Sequence, residues 1–257
     1  MPFANNRGVR IHYETVGQGR PLILQHGTFG SGPDWIDRGY VERLKGDHQL
    51  ILMDARGHGA SDKPHDAAAY DLSLRAADVV SVMDELGLPK ADYFGYSMGG
   101  WIAFGLAQFA PERFHSFIIG AAHPYPESME AYRDLMPDNM DKFAAMMDQR
   151  LGKLQTPGMR ARFLKNDLTA LRTLTRDRVS IAGVLPSMRM PCLLYVGELD
   201  PRFAPMTDCA QALPNATMFT LPGYDHITAQ WQVDTIVPHV KSFLAKVPRQ
   251  EAQTAAS

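Results

Sequence analysis

A serine bracketed by glycines, Gly95-Tyr96-Ser97-Met98-Gly99, sits between two stretches of opposite character and constrains the fold more than any other feature of the chain. The residues before it, Ala91-Asp92-Tyr93-Phe94, read as the end of a short buried strand. The residues after it, Gly100-Trp101-Ile102-Ala103-Phe104-Gly105-Leu106-Ala107, read as an apolar helix. A strand that turns into a helix through one serine needs small neighbours, because the two backbones come close together there. The hydroxyl is then presented at a helix N-terminus, where N–H dipoles favour a developing negative charge. Ser97 is therefore a candidate nucleophile.

The rest of the chain repeats this strand–helix rhythm. Gly8-Val9-Arg10-Ile11-His12-Tyr13 alternates with period two, as a half-exposed strand does. Leu22-Ile23-Leu24 and Leu50-Ile51-Leu52-Met53 read as buried strands that end in glycine-rich turns. Leu74, Ala77, Val80, Val82 and Leu86 predict a helix stopped by Gly87 and Pro89. Further strands are predicted at Ser116-Phe117-Ile118-Ile119, Cys192-Leu193-Leu194-Tyr195-Val196 and Ala216-Thr217-Met218-Phe219-Thr220. An amphipathic helix over residues 236–247 closes the set. Such alternation implies an α/β fold with a mostly parallel sheet covered by helices on both faces, and its chemistry collects at the carboxyl ends of the strands.

Residues 127–185 interrupt the rhythm with three or four short helices and no strand: Met140, Phe143, Met147 and Leu151 recur at helical spacing, as do Leu168, Leu171 and Leu174. The expected organisation is a core of residues 1–126 and 186–247, a helical cap over 127–185, and a loose polar tail over 248–257. At 257 residues with a formal net charge of -2, nothing calls for nucleic acid or a membrane surface as partner. No apolar run approaches spanning length and no signal core opens the chain, so a cytoplasmic location is expected. The two cysteines, Cys192 and Cys209, suit a reducing compartment, and Cys192 falls within an apolar strand as a buried, inert thiol. The scattered His and Cys show no metal-ligand spacing.

A serine nucleophile needs a base, and the base an orienting carboxylate. His226 follows the last strand through Gly223-Tyr224-Asp225, and Asp200 follows the preceding strand through Gly197-Glu198-Leu199. Both loops leave the strand edge that carries Ser97. Glu198 and Asp225 are rival acids, ranked below Asp200. His26 and His58, in glycine turns, are read as structural. The oxyanion formed by attack on a carbonyl would be met by the N–H of Met98 and by one from the loop Gln25-His26-Gly27-Thr28-Phe29-Gly30, with Thr28 preferred and Phe29 in reserve.

These motifs, together with Asp54-Ala55-Arg56-Gly57-His58-Gly59-Ala60-Ser61-Asp62, resemble the α/β-hydrolase superfamily over residues 8–247. The resemblance implies an eight-stranded, mostly parallel sheet, a Ser-His-Asp mechanism and no cofactor. It looks closest to capped serine esterases, lactonases, perhydrolases and carbon–carbon bond hydrolases. Serine at position 97 departs from the dehalogenase and epoxide-hydrolase branches, which look for aspartate there. Ser31-Gly32-Pro33-Asp34 departs from the Ser-Gly-Pro-Gly-like loop of carbon–carbon hydrolases. The expected activity is hydrolysis of a small, largely apolar carboxylic ester, with lactone, peracid or carbon–carbon chemistry as alternatives. A slow-turnover small-molecule receptor is the reading outside catalysis.

Six of the 14 methionines, Met129, Met136, Met140, Met146, Met147 and Met159, fall in the expected cap. Adaptable thioether side chains suit a pocket for varied apolar chains, and equally suit packing of cap on body. Expected pocket residues are Trp35, His123, Tyr125, Met140, Phe143 and Met147, with Tyr132 and Phe163 as further walls. Between residues 150 and 178 eight basic side chains oppose only Asp167 and Asp177. A solvated face explains this, and an anionic substrate or acidic carrier steered to the entrance is the sharper alternative.

Overall fold

The computed structural model describes residues 2–134, 136, 139–152 and 156–248, with the side chains of residues 150 and 151 left aside. Residues 249–257 of the expected tail, and Lys153 of the basic stretch, lie outside the described residues. Eight strands form one sheet: β1 (Phe3–Asn6), β2 (Val9–Val16), β3 (Arg20–Gln25), β4 (His48–Met53), β5 (Ala91–Tyr96), β6 (Phe114–Gly120), β7 (Cys192–Gly197) and β8 (Ala216–Leu221). Their spatial order is β1-β2-β4-β3-β5-β6-β7-β8. The β1–β2 and β2–β4 pairs are antiparallel, and every later pair is parallel. β1 was not marked by the sequence pattern: Phe3-Ala4-Asn5-Asn6 is too short and too polar to signal a strand, and it forms by pairing Phe3 with His12 and Asn6 with Val9.

Strand burial follows from the connections. A parallel strand covered on both faces must be apolar throughout, and Leu22, Ile23, Leu24, Leu50, Ile51 and Leu52 are all essentially inaccessible. β3 and β4 run in register, Leu22 beside Leu50 and Leu24 beside Leu52, and β3 meets β5 with Leu24 beside Phe94. α3 (Leu72–Glu85) and α4 (Met98–Phe109) pack against each other and onto β1, β5 and β6. α1 (Asp34–Asp37) and α2 (Tyr40–Leu44) are short turns of helix before β4, and α2 packs on α10 (Val233–Leu244), the last helix. α9 (Phe203–Ala212), which the sequence reading did not distinguish, covers β7 and β8.

Among the described residues four α-helices lie between β6 and β7: α5 (Glu130–Asp134), α6 (Met140–Leu151), α7 (Pro157–Leu164) and α8 (Leu168–Leu174). Asn139, Thr156 and Asp167 cap α6, α7 and α8 by accepting N–H bonds from the first turn. A bridge between Glu127 and Arg178 draws the insertion together at its base, and Ile181 N–H donates to the Pro124 carbonyl just beyond it. Val184 and Leu185 are buried in the main core, as are Ala170, Leu171 and Leu174 of α8, so the insertion is seated on the body along its last part. The insertion has a small core of its own, Phe143, Ala144 and Phe163, against which Met140, Met146, Met147 and Phe29 pack. Among the described residues no helix is long and apolar enough to cross a membrane.

Candidate active site

β5 ends at Tyr96 in the middle of the sheet, and α4 begins at Met98, so Ser97 alone makes the turn. Its backbone has φ 53° and ψ -109°, a left-handed conformation that costs a non-glycine residue roughly 1–3 kcal/mol. The neighbours hold it there. Ser97 N–H donates to the Gly120 carbonyl at the end of β6, and Ser97 C=O accepts from Trp101 N–H to start α4.

Asp200 and His226 arrive from the loops after β7 and β8, beyond β6 from the serine. Ser97 Oγ lies 2.9 Å from His226 Nε2, and His226 Nδ1 lies 2.6 Å from Asp200 Oδ2. With Nδ1 donating to the carboxylate, Nε2 is left as acceptor for the serine hydroxyl. Asp200 Oδ1 accepts a second bond from Arg202 N–H. Burial alone would raise the Asp200 pKa, but the hydrogen bond and charge of His226, with help from Arg202, hold it below the ordinary carboxylate value. His226 is pushed the other way, toward its neutral form, by burial first and the Arg202 charge second, against the pull of Asp200. The histidine loop is pinned by Tyr96 Oη, which donates to the His226 carbonyl at 2.7 Å, and by Leu199 N–H, which donates to the Tyr224 carbonyl. That approach requires Gly197: a Cβ there would stand 2.1 Å from the Tyr224 carbonyl oxygen.

The rival acids are occupied elsewhere. Glu198 is exposed and accepts from Thr220 Oγ1, and Asp225 accepts from Ile227 N–H, Thr228 N–H and Thr228 Oγ1 within its own loop. His26 is structural in a specific way: Nδ1 donates to the Gly27 carbonyl and Nε2 accepts from Ala55 N–H, which ties the loop after β3 to the loop after β4. Asp54 reinforces the tie by accepting from Gly32 N–H, Ala60 N–H and His12. Burial would raise its pKa, but these donors bring it down to about 2. The Asp54–Asp62 motif thus braces the loop beside Ser97. In that loop Phe29 has a positive φ of 72°, and among the described residues the N–H groups of Thr28, Phe29 and Met98 donate to no protein acceptor. Thr28 and Phe29 line one cavity with Ser97, and Met98 follows it directly in the chain.

Over Ser97 lies a cavity of about 140 Å³ between the loop after β3, His226 and the helical insertion. Phe143 and Met147 line it as expected, with Met146, Met159, Phe163 and Tyr132. Four expected pocket residues lie elsewhere. Trp35 is turned inward, its ring 4.9 Å from Tyr40 and from Phe94, because α1 lays it on the buried face of β5. His123 is buried beside Tyr125, Tyr125 packs on the main core, and Met140 packs on the insertion's own core. For Met140 the helical spacing marks packing on the insertion's own core, and for Trp35, His123 and Tyr125 a place near a strand end or loop marks burial. Asn166, which donates to the Phe29 carbonyl, and Arg38, Gln230 and Ile227 also line the cavity; no local pattern singles them out.

Arg202 is the most consequential residue that sequence reasoning passed over. It is 4% exposed, and its Nη1 lies 3.0 Å and 3.3 Å from the two ring nitrogens of His226. Glu127 and the Tyr132 hydroxyl, both from the insertion, hold the guanidinium at 2.5 and 2.8 Å. Much of the basic surplus of the insertion is answered from outside residues 150–178. Arg160 pairs with Asp148, Arg162 with Asp34 and Asp37, and Arg178 with Glu127.

A family model described as alpha/beta hydrolase fold matches residues 20–174. A pimeloyl-[acyl-carrier protein] methyl ester esterase of Vibrio parahaemolyticus is 26% identical, over 91% of this chain and 97% of its own length. Among solved structures, the enol-lactonase from Burkholderia xenovorans LB400 superposes with a TM-score of 0.84 at 22% identity, covering 95% of this chain and 100% of that one. A thermophilic esterase from Thermogutta terrifontis superposes with a TM-score of 0.81 at 23% identity, covering 96% and 98%.

Proposed function

The chain belongs to the α/β-hydrolase family, and from that premise we propose that it is a serine hydrolase of small carboxylic esters. The observation that carries the reading is the unbroken line of hydrogen bonds from Ser97 Oγ through His226 to Asp200, 2.9 and 2.6 Å long, at the floor of an apolar chamber. His226 Nε2 takes the Ser97 proton as the oxygen attacks the ester carbonyl. The free N–H of Met98, with that of Thr28 or Phe29, meets the oxyanion. His226 then protonates the leaving alcohol, and the acyl group remains on Ser97. Water, deprotonated by the same imidazole, releases the acid. Asp200 keeps the working tautomer and stabilises the imidazolium. The helices between β6 and β7 act as a cap that excludes water from this sequence of steps.

The chamber supports a substrate with an apolar arm, since Phe143, Met146, Met147 and Phe163 supply most of its roof. The methyl ester esterase among the relatives supports ester over other acyl chemistry. Ser31 and Asp34, which would belong to a carbon–carbon hydrolase loop, are engaged with Arg162 instead. A fluorophosphonate probe should label Ser97 alone, and a chain-length series of p-nitrophenyl esters and lactones should show multiple rapid turnovers on the esters. Labelling elsewhere would sink the nucleophile; preference for lactones would move the substrate class. Binding without turnover would make the chain a receptor.

A further inference from the structure

A second cavity, of about 280 Å³, adjoins the chamber at Thr28, which lines both. Met98, the residue after the candidate nucleophile, also lines it. Its other walls include Trp101 of α4, Arg75 of α3, and Arg178 at the base of the insertion. The apolar chamber accounts for neither this space nor the charges around it.

Arg75 is 6% exposed and has two backbone carbonyls for partners, those of Tyr70 and Leu174. Among the described residues it makes no ion pair. The nearby Asp78 carboxylate does not answer it, since Arg56 takes both of its oxygens and Asn6 adds a third bond. Arg178 has one carboxylate partner, Glu127, and must share it with Arg202. The two guanidiniums stack on Trp101, at 5.6 Å for Arg75 and 4.8 Å for Arg178. Two acids line the same cavity without neutralising it: Asp177 is held by Arg133 and Met129 N–H, and Asp71 is exposed at the start of α3. Burial, followed by the charge of Arg178, brings the Arg75 pKa down to about 9, the mark of a cation short of an answering charge. A guanidinium taken out of water without a counter-ion is unfavourable, and its planar fork matches a carboxylate bidentately.

We propose that this cavity is an anion subsite, which takes a carboxylate carried by the substrate a few carbons from the carbonyl that Ser97 attacks. The proposal rests on the serine-hydrolase reading for its placement and on the arginines for its chemistry. One arm of the substrate lies under Phe143 and Met147, and the charged arm passes Thr28 and Met98 toward Arg75 and Arg178.

The test uses monomethyl and dimethyl esters of succinic, adipic and suberic acids, which differ by one charge at three spacings. At the spacing that fits, kcat/KM for the monomethyl ester should exceed that for the dimethyl ester by about tenfold or more. That ratio should fall by about tenfold in Arg75→Gln and in Arg178→Gln. Arg178 lies at the base of the insertion, so its variant carries the test if Arg75→Gln does not fold. Calorimetric titration of the same esters into Ser97→Ala separates binding from turnover. Tighter binding of the monoester that is lost with Arg178→Gln upholds the subsite even where no ester is hydrolysed, in which case it is the hydrolase reading that fails. Ratios near one at every spacing, equal binding of both esters, or a preference that survives both substitutions would overturn the subsite.

Discussion

The Arg202 guanidinium stands 3.0 Å from Nδ1 of His226, on the ring whose other nitrogen faces Ser97. A cation so close opposes protonation of the imidazole, and burial opposes it further. On the serine-hydrolase reading proposed above His226 acts as base when neutral, so activity should rise with pH through its pKa. Arg202→Met removes the positive charge while Asp200 and Glu127 remain to favour the imidazolium. The pKa should rise, and the acid limb of kcat/KM against pH should move to higher pH, most visibly as a loss at pH ~6 relative to pH ~8. Arg202→Lys should return part of the shift. A limb that stays in place would mean that Arg202 only packs.

Replacing Ser97 by Ala should reduce ester turnover by at least ~1000-fold and leave circular dichroism and thermal midpoint close to the parent, since one hydroxyl is removed and its backbone bonds remain. Asp200→Asn should be nearly as damaging, about 10,000-fold in kcat by analogy with other triads, because an amide can hold the imidazole in the wrong tautomer. If Asp200→Asn retained more than about a tenth of the activity, Glu198 or Asp225 would have to be reconsidered as the orienting acid.

Gly99 tests the elbow as architecture. A Cβ at this position would lie 2.2 Å from the Gln25 carbonyl oxygen, at the end of the neighbouring strand β3. Neither group is the mobile end of a side chain, so the strand and α4 must separate. Gly99→Ala should cost about 2–4 kcal/mol in urea unfolding and lower kcat, since the same separation moves Met98 N–H away from the loop at Thr28. Unchanged stability would show that the strand–helix contact is looser than it stands.

How much of this was legible beforehand follows from the range of each signal. The elbow, the acid after β7 and the base after β8 are local patterns, each written within a few residues of a strand end, and the order of parallel strands brings them to one edge. β1 and α9 were not legible: one is made by pairing with β2, the other by packing on β7 and β8. The chamber wall was half legible. Helical spacing marks a buried face, and that face can be turned to the cavity, as Phe143 is, or onto the insertion's own core, as Met140 is. Arg202 carried no signal at all, because its meaning depends on Glu127 and Tyr132, 75 and 70 positions away.

Arg162 ties the insertion to the body. Its guanidinium reaches from α7 to Asp34 at 2.8 Å, to Asp37, and to Ser31 Oγ at 3.2 Å. Burial would weaken such a cation, but the two carboxylates raise its pKa above the ordinary value, so it stays charged throughout the accessible range. Asp34 is largely buried and would be left short of its counter-charge in Arg162→Ala, with Arg38 at 3.8 Å as the nearest substitute. The partly exposed position tempers the loss to about 1–2 kcal/mol, too little to unfold the chain and enough to loosen α7 from the loop that carries Thr28 and Phe29. We expect KM for long-chain esters to rise several-fold, kcat for acetyl esters to change less, and amide exchange to quicken across α7. High salt should narrow the gap between parent and variant, since it weakens the same ion pairs in the parent. If exchange quickens while KM for every ester is unchanged, α7 contributes nothing to the apolar arm of the site, and the roof must be assigned to α6 alone.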